Sequence, residues 1–449
     1  MGTYQMMVGY GRRDCSPTYS VPLAGYGNTR MRMSQGVYDP LYVTCIAFTD
    51  AAGKSLLLFT ADQIRSHVVW TQRVRRRIAA ETGIPEDHIM LTAIHTHSGP
   101  DIGVAIGDDE PYYNTYMDAF SGAAQDALAD RRPVSAARAA KMDVEQMNYV
   151  RHYVLEDGTV IGPNFGIVGD RKVVRHTMPA DTQLQTVRLQ RDGARDILLV
   201  NWQAHPCMAS TKTTPFGTEH RLLCGPDYVG QWRERVEQDT ECLFAFFQGA
   251  AGNVTTSSRI PEERNLTTTH EYGAAMCEAV VKTLEQERSV SLGDLKTRQM
   301  TFVGENDHSE DGLVEAARKI RVLWAETNDT RACMLAAQPY GIHSAYHAGA
   351  IITRAGIEGK ESMELDAFAV GDLAFVTAPY EMFCNNGQYI KEKSPYPVTF
   401  VLSCANGNFN YLASKEAFVH GCYEVDNRRF PEGTAEKAAD CLVEMLKGL

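Results

Sequence analysis

The sequence predicts an α/β protein whose core is a mixed, largely parallel β-sheet flanked by helices. Short uninterrupted apolar runs alternate with helical patterns, and several of these runs end abruptly in histidine or glutamate. The hydrophobic fraction of 44% and the charged fraction of 22% are typical of a folded globular protein. The 449 residues contain no repeat, linker or low-complexity tract, so we predict one domain spanning residues 1–449.

The clearest unit is a β-α-β pattern in the first quarter of the chain. Apolar runs at 56–60 and 89–94 flank a helical pattern at 64–82, which predicts two parallel strands with a right-handed crossover. Open sheets of this kind bind ligands beyond the carboxyl ends of their strands. His95 and His97 follow the second strand, and in extended backbone their side chains share one face. By itself this spacing fits equally well two unrelated polar residues where a strand meets a loop.

The remaining elements are predicted from the same patterns. Further strands are expected at 196–204, 243–247, 299–303, 365–370, 373–377 and 398–402, and helices at 112–129, 267–287, 309–326 and 434–446. A hairpin turn is expected at 156–158. The segment 102–190 is otherwise irregular, and we expect it to cover the edge of the sheet.

Side chains able to bind a metal follow the ends of separate predicted strands. His95 and His97 come after one strand, and His205, Glu381 and Tyr411 follow three others. Neutral imidazole and carboxylate are the ligand types of catalytic zinc, which keeps one position open for water or substrate. Tyrosinate is a less usual donor, but the cation would stabilise its ionised form. The sequence therefore predicts a metal site at the carboxyl ends of the strands.

Three other patterns leave alternatives open. The glycine turn at 248–256 is able to present backbone N–H groups to an anion or oxyanion, or to serve only in capping. Cys207, two residues after His205, is a candidate cavity residue. His343 and His347 have the i, i+4 spacing of helical metal ligands, but the neighbouring glycines weaken the helix, so we favour no metal there.

Composition excludes several classes of function. The formal net charge of -12 argues against nucleic-acid binding, which needs a basic face. No run reaches the roughly 18 apolar residues of a membrane span, and the N-terminus lacks the pattern of a signal peptide. The eleven cysteines form no Cys-x-x-Cys pair and fit buried free thiols in a reducing compartment. We expect a cytoplasmic protein without membrane insertion; a homo-oligomer remains open.

Five short motifs follow one another along nearly the whole chain. They are His95-Thr-His97-Ser-Gly-Pro100, Ala204-His205-Pro206, Gly252-Asn-Val-Thr-Thr-Ser257, Pro379-Tyr-Glu381-Met, and Asn406-Gly407 through Tyr411 with Glu416 and Tyr423-Glu424 in register. Together and in this order they resemble the motifs of the neutral and alkaline non-lysosomal ceramidases, in their N-terminal catalytic domain. Those enzymes also carry a C-terminal β-rich domain, so the chain resembles a divergent member that lacks it.

The resemblance implies a zinc-dependent amidase with a defined set of site residues. One zinc ion per chain would be bound by His95, His205, Glu381 and Tyr411, with His97, Tyr423 and Arg151 beside the scissile amide. Zinc would polarise the carbonyl and activate a water molecule. In this scheme His97 passes a proton to the leaving amine, while Tyr423 and the turn at Gly252 stabilise the oxyanion.

The departures from the ceramidase motifs fall close to the implied substrate pocket. Asp101 and Tyr380 replace family glycines, Asn253 replaces an aspartate, and Thr255 replaces the family serine. With Gly252, these four are the predicted substrate-binding residues. Each replacement changes bulk or charge while the metal ligands are kept, so we expect a substrate that differs from ceramide.

The predicted function is therefore zinc-dependent hydrolysis of a linear N-acyl amide. A cytoplasmic enzyme would rarely meet sphingolipid, so the small-molecule substrate is expected to be smaller or more polar than ceramide. Two alternatives remain at this stage: an esterase or lactamase-like hydrolase using the same zinc, and a catalytically silent homologue that only binds a metal or ligand.

Overall fold

The computed structural model describes residues 6–26, 32–102, 111–163, 165–209 and 222–449. The strands are β1 Met7–Asp14, β2 Gly36–Val37, β3 Tyr42–Thr49, β4 Ser55–Ala61, β5 Ile89–Ala93, β6 Arg132–Asp143, β7 Tyr149–Val150, β8 Tyr153–Leu155, β9 Val160–Ile161, β10 Val173–His176, β11 Gln183–Arg191, β12 Ile197–Trp202, β13 Leu223–Cys224, β14 Leu243–Gln248, β15 Val254–Thr255, β16 Arg288–Val290, β17 Leu295–Glu305, β18 Lys360–Val370, β19 Leu373–Thr377, β20 Glu381–Met382, β21 Val398–Leu402 and β22 Tyr411–Leu412. The helices are α1 Val68–Thr82, α2 Pro111–Ala129, α3 Tyr228–Thr240, α4 Thr269–Leu284, α5 Val314–Thr327, α6 Thr330–Ala337, α7 Ala345–Ala355, α8 Cys384–Lys393, α9 Lys415–His420, α10 Tyr423–Asp426 and α11 Thr434–Lys447.

The largest sheet runs in the order β14-β12-β11-β6-β1-β3-β4-β5, with the short β16 beside β6. Only the outermost pair at each end, β12 with β14 and β4 with β5, is parallel, and the inner neighbours are antiparallel. The α/β class and the mixed sheet are thus confirmed, but the large sheet is less parallel than predicted.

The sheet is less parallel than predicted because of the segment 102–190, which was expected to cover the edge of the sheet but contributes strands to its interior. It supplies β6 and β11, two long strands that pair with each other inside the sheet. The strand β6 has the sequence RPVSAARAAKMD, in which small residues alternate irregularly with exposed charged ones. Sequence analysis missed it because such a strand has no apolar run to reveal it.

A second sheet, in the order β17-β18-β19-β21, packs face to face on the first. Phe375 of the second sheet contacts Phe48 of the first at a ring separation of 6.4 Å, and Phe247 and Phe400 form a similar pair. These rings belong to one buried core between the sheets. Gly371, with φ 63°, makes the tight turn between β18 and β19.

Helices cover the outer faces of both sheets. The helices α1 and α2 pack on the β3–β4 half of the large sheet, and α3 and α4 pack on the β12–β14 half. The second sheet is covered by α8 and α11, whose apolar residues face β18, β19 and β21. The result is four layers, helix on sheet on sheet on helix. In the parts of the chain that the structure describes, no helix has the length and apolar character needed to cross a bilayer.

The large sheet curls until its two parallel ends meet. Thr60 Oγ1 on β4 donates to the carbonyl of Phe246 on β14 at 2.6 Å, and Tyr10 on β1 donates to Phe244 at 3.0 Å. The parallel strands β19 and β21 of the second sheet end at the same place, where Ser403 N donates to Gln248 O. Three parallel pairs therefore bring their carboxyl ends together, and every predicted metal ligand follows one of them.

Candidate metal centre

His95 and His205 are held by hydrogen bonds that fix the direction of each imidazole. His95 Nδ1 lies 2.8 Å from the carbonyl of Ile64, and His205 Nδ1 lies 2.7 Å from the carbonyl of Ala251. Because a carbonyl only accepts, each Nδ1 carries the proton of the neutral ring, and each Nε2 keeps its lone pair. Metal-bound histidines are oriented in this way in most proteins.

The two Nε2 atoms and one oxygen of Glu381 form a small buried triangle. Nε2 of His95 lies 3.1 Å from Nε2 of His205, and Glu381 Oε2 lies 3.2 Å from each. In the neutral tautomers that the two carbonyls select, neither Nε2 carries a proton, so two imidazole lone pairs and Glu381 Oε2 converge on one point. A tetrahedral ion with bonds of about 2.0–2.1 Å has ligand-to-ligand edges of about 3.3 Å. The triangle therefore fits a zinc-sized cation.

The electrostatics of this cluster favour a positive charge at its centre. Burial raises the pKa of Glu381, but the two imidazoles outweigh it and hold that pKa well below its usual value. Burial and the charge of Arg151 lower the pKa of His205 to about 4. Burial also opposes protonation of His95, yet Cys404 and Glu381 raise the pKa of His95 well above its usual value.

His95 and three residues of the neighbouring loop have backbone conformations in the left-handed region. His95 has φ 70°, and Cys404, Asn406 and Asn410, in the loop between β21 and β22, have φ between 56° and 58°. The loop is tied to β5, since Asn406 N donates to Leu91 O at 2.8 Å. Non-glycine residues rarely adopt this conformation, and they concentrate at functional sites where the surrounding contacts compel it.

Tyr411 lies beside the triangle. It is paired in register with Glu381 in the small parallel ladder of β20 and β22, so both side chains are on the same face. Its hydroxyl lies 3.2 Å from Nη2 of Arg151. Burial raises the pKa of Tyr411 well above its usual value, and the charge of Arg151 opposes this shift.

Arg151 is itself held in place by a buried carboxylate. Its Nε donates to Glu424 Oε1 at 2.6 Å, and the other oxygen of Glu424 lies 2.6 Å from His152 Nε2. The two basic groups hold the pKa of Glu424 at about 2 despite the opposing effect of burial. Arg151 Nη2 also donates to the carbonyl of Gly252 at 2.8 Å, so the guanidinium is fixed by three separate elements.

His97 occupies the open side of the triangle. Its ring lies 5.1 Å from that of His95 and 5.4 Å from that of His205, and neither of its nitrogens has a partner among the described residues. Burial and the neighbouring imidazoles hold its pKa well below the usual value. Gly25, at φ 108°, lets the backbone approach, since a Cβ there would lie 2.6 Å from His97 Nδ1.

His97 is close enough to the other two histidines to be considered a metal ligand itself. It differs from them in having no hydrogen bond that orients its ring, whereas Nδ1 of each of the other two is tied to a carbonyl. Its free nitrogens suit a group that exchanges protons with a bound molecule.

A cavity of about 820 Å³ opens onto these residues. It is lined by the candidate catalytic residues His97, Arg151 and Tyr423, by the candidate ligands His95, Glu381 and Tyr411, and by Asp101, Cys207 and Thr255. Its wholly hydrocarbon side chains are only Ile64, Pro163 and Leu266 among the described residues. The ring of Tyr423 lies 5.8 Å from that of Tyr411, and burial keeps its hydroxyl protonated by raising its pKa.

Three predicted substrate-binding residues lie outside this cavity. Gly252 N donates to Met382 O, so the turn does not offer that N–H to an oxyanion; a Cβ there would lie 2.7 Å from Glu381 O, which explains the glycine. Asn253 is buried, and its Oδ1 accepts from Cys384 N. Tyr380 is 1% exposed and packs in the core beneath the second sheet. All three contact the protein around the strand of Glu381 or its core, and the substrate-binding role predicted for them stays a prediction.

Sequence analysis missed several residues that the site uses. Arg65 and Arg259 line the cavity, and Cys404 Sγ lies 3.4 Å from His95 Nδ1. Arg65 had a usable signal, because it follows β4, the parallel neighbour of the strand that precedes His95. The helix predicted from residue 64 begins at Val68, so Arg65 lies on the connection. The eleven cysteines are all free thiols, as expected.

The fold and site together define an α/β protein with the neutral ceramidase fold and a candidate metal centre at its strand ends. The crystal structure of neutral ceramidase from Pseudomonas aeruginosa matches with a TM-score of 0.71 and 16% identity, over 99% of this chain and 74% of that one. A ceramidase complexed with C2 matches with a TM-score of 0.70 and 17% identity, over 99% and 75%. No protein-family model and no curated sequence matches this chain.

Proposed function

We propose that this protein is a zinc-dependent hydrolase that cleaves a carboxamide bond in a small, polar N-acyl compound. The observation that carries the proposal is the convergence of two imidazole lone pairs and one carboxylate oxygen within 3.2 Å of one another. Nothing but a cation or a proton relieves the repulsion among these three atoms. The ceramidase fold of the two matched structures supports the same reaction class.

In this proposal His95, His205 and Glu381 hold the ion, and Tyr411 is the fourth ligand. Tyr411 is suited to this role because the guanidinium of Arg151, 3.2 Å from its hydroxyl, stabilises the ionised phenol. A bound zinc ion supplies Lewis acidity toward the scissile carbonyl and lowers the pKa of water.

The proton transfers are assigned to the cavity side chains. A ring nitrogen of neutral His97 accepts a proton as water attacks the carbonyl carbon, and the same nitrogen then protonates the leaving amine. Tyr423 remains protonated and donates a hydrogen bond to the developing oxyanion. Arg151 is too well paired with Glu424 to titrate, so its part is to orient the two tyrosines.

The lining of the cavity supports a substrate other than a long-chain lipid. In the described part of the lining, three hydrocarbon side chains are too few to form an apolar channel for a fatty chain, whereas lipid-binding sites are lined predominantly by such residues. Polar and aromatic groups occupy most of the wall, including Asp101 and Thr255. We therefore place the substrate among short N-acyl compounds.

The test combines metal analysis with a matched substrate panel. Purified protein is loaded with zinc, the zinc content is measured by mass spectrometry, and hydrolysis of short N-acyl amides is compared with that of the corresponding esters. We expect one zinc per chain, amide cleavage, its loss after chelation and its return with added zinc. Ester-only turnover would replace the amidase by an esterase, and bound zinc without any hydrolysis would indicate a silent metal-binding homologue.

A further inference from the structure

Two arginines on the cavity wall have no part in the proposed reaction. Arg65 and Arg259 both line the cavity, and neither forms an ion pair with any described residue. Nε of Arg65 is buried and lacks a hydrogen-bond partner among them. Arg65 is half-buried, and an unpaired guanidinium there is costly unless an anion completes it, whereas Arg259 is exposed and keeps its charge in solvent at the cavity wall.

Arg65 lies next to a residue that orients His95, and Arg259 lies beside Tyr153 on another part of the cavity wall. Arg65 directly follows Ile64, whose carbonyl accepts the hydrogen bond from His95 Nδ1. Arg259 N donates to the hydroxyl of Tyr153 at 3.2 Å, and its guanidinium lies 5.7 Å from the centre of the Tyr153 ring. The two arginines thus lie on separate elements that face the same cavity.

Among the described residues that line the cavity, the charges do not cancel. The carboxylates that line the cavity among the described residues are Asp101 and Glu381, and Glu381 belongs to the metal triangle. Arg151 is neutralised by Glu424. One carboxylate, Asp101, is therefore left against the two guanidiniums of Arg65 and Arg259. A cationic cavity in a chain with a net charge of -12 attracts anionic ligands selectively.

We propose that the substrate carries a carboxylate, bound by Arg65 and Arg259 while the amide lies at the metal centre. This inference rests on the proposed function and adds the substrate class to it. The planar guanidinium matches a carboxylate with two parallel hydrogen bonds, and such bonds are roughly twice as strong as neutral ones. The cavity of about 820 Å³ accommodates a short N-acyl amino acid.

The experiment compares two substrates that differ mainly in charge. Zinc-loaded wild type, R65Q, R259Q and the double variant are assayed with N-acetylglycine and with neutral N-acetylethanolamine. We expect wild type to favour N-acetylglycine by about tenfold in kcat/KM, and each single variant to reduce this ratio towards one through a higher KM. Arg76, exposed on α1, away from the cavity and without an ion pair, provides the control R76Q, which should keep the wild-type ratio.

Two results would overturn the assignment of an anion site to the two arginines, and a third would change the anion. One is equal or better turnover of N-acetylethanolamine by wild type. The other is a ratio that R65Q and R259Q leave unchanged. A stronger preference for N-acetyl-phosphoethanolamine than for N-acetylglycine would also reject the carboxylate in favour of a phosphate.

Failure of the proposed function can be recognised separately. If no amide is hydrolysed although zinc is bound, calorimetric titration of the same two compounds still tests the charge preference. Tighter binding of N-acetylglycine by wild type, lost in R65Q and R259Q but kept in R76Q, would then support the inference alone. Equal binding of both compounds, or binding of neither, would reject it.

Discussion

Two histidine clusters in this protein have similar residues and opposite hydrogen-bonding states. In the first, Nε2 of His95 and of His205 point at each other with their lone pairs free. In the second, His347 Nδ1 accepts from His343 N at 3.2 Å, and its Nε2 lies 3.0 Å from Glu310. Both nitrogens of His347 are therefore already used.

The second cluster is an ion-pair network. His343 Nδ1 lies 2.9 Å from Asp426, and Glu310 also contacts Arg354. The possible ligand atoms of His343, His347 and Asp426 in this second cluster lie close enough together for a metal to be considered. Proximity of ligand-type side chains is therefore not sufficient for a metal site. A metal site needs lone pairs that converge with no donor between them, and only the first cluster has them.

Removing a histidine from each cluster should give the largest difference, because only the first cluster is expected to bind zinc. We expect H205A to lose its zinc and at least about a thousandfold of its amidase turnover, because Lewis-acid catalysis contributes several kcal/mol. The matched variant H343A should keep one zinc per chain. Zinc content and turnover are measured on both, after circular dichroism has shown that they fold. Equal zinc loss in both variants would contradict the assignment.

Replacing His347 should reduce stability instead of metal content. H347Q removes the imidazole whose Nε2 lies 3.0 Å from Glu310 Oε1, so we expect the free energy of unfolding to fall by about 1–3 kcal/mol. Urea unfolding of the zinc-loaded protein measures the change. H308Q is the control, since His308 makes an exposed pair with Asp311 that is worth at most about 1 kcal/mol. A loss of zinc in H347Q would mean that the second cluster is also a metal site.

His152, Cys422 and Glu424 form a third group of close ligand-type residues, and its carboxylate is also already paired. Both oxygens of Glu424 are already used, one by Arg151 and one by His152. E424Q should keep its zinc at saturating metal but lose about tenfold to a hundredfold in kcat, because Arg151 no longer orients Tyr411. The exposed Glu416 provides the control E416Q. Unchanged kcat in E424Q would show that Arg151 does not depend on this carboxylate.

The predicted metal ligands that lie together in the structure each follow a strand of a parallel pair. His95, His205 and Glu381 each follow an apolar run, and the carboxyl ends of such strands meet by geometry. The sequence did not predict that the β4–β5 and β12–β14 ends of the large sheet meet, because this contact depends on the curl of the sheet. The roles of His97, Tyr411 and Tyr423, like the single domain and the cytoplasmic location, stay predictions.

The errors have a common physical origin. Gly252, Asn253 and Tyr380 occur in motifs beside the site, but chain position does not reveal whether a side chain faces the cavity or the core. Strands β6 and β11 were missed because neither contains a continuous apolar run: β6 mixes small and charged residues, and in β11 isolated leucine and valine residues lie between polar ones. Arg65 follows β4 and was predictable from its position, but its unpaired Nε and the place of Arg259 on the cavity wall depend on the folded structure.

The smallest expected effect concerns the response of the second cluster to acid. The pKa of Glu310 is lowered from 4.5 to about 2, because His347, Arg428 and Arg354 outweigh the burial that would raise it. A carboxylate with a depressed folded-state pKa stabilises the fold above pH 4.5, and this contribution is lost as the pH falls towards 2. Wild type should therefore lose more stability between pH 6 and pH 3 than E310Q, which does not titrate.

After discounting for solvent screening, we expect that difference in unfolding free energy to be about 1–2 kcal/mol. Wild type and E310Q share the same metal centre, so release of metal in acid affects both equally and cancels in the comparison. Urea unfolding at the two pH values measures the difference. An identical acid response of the two proteins would mean that Glu310 is not held as an anion by the second cluster, and that cluster would then no longer be an ion-pair network.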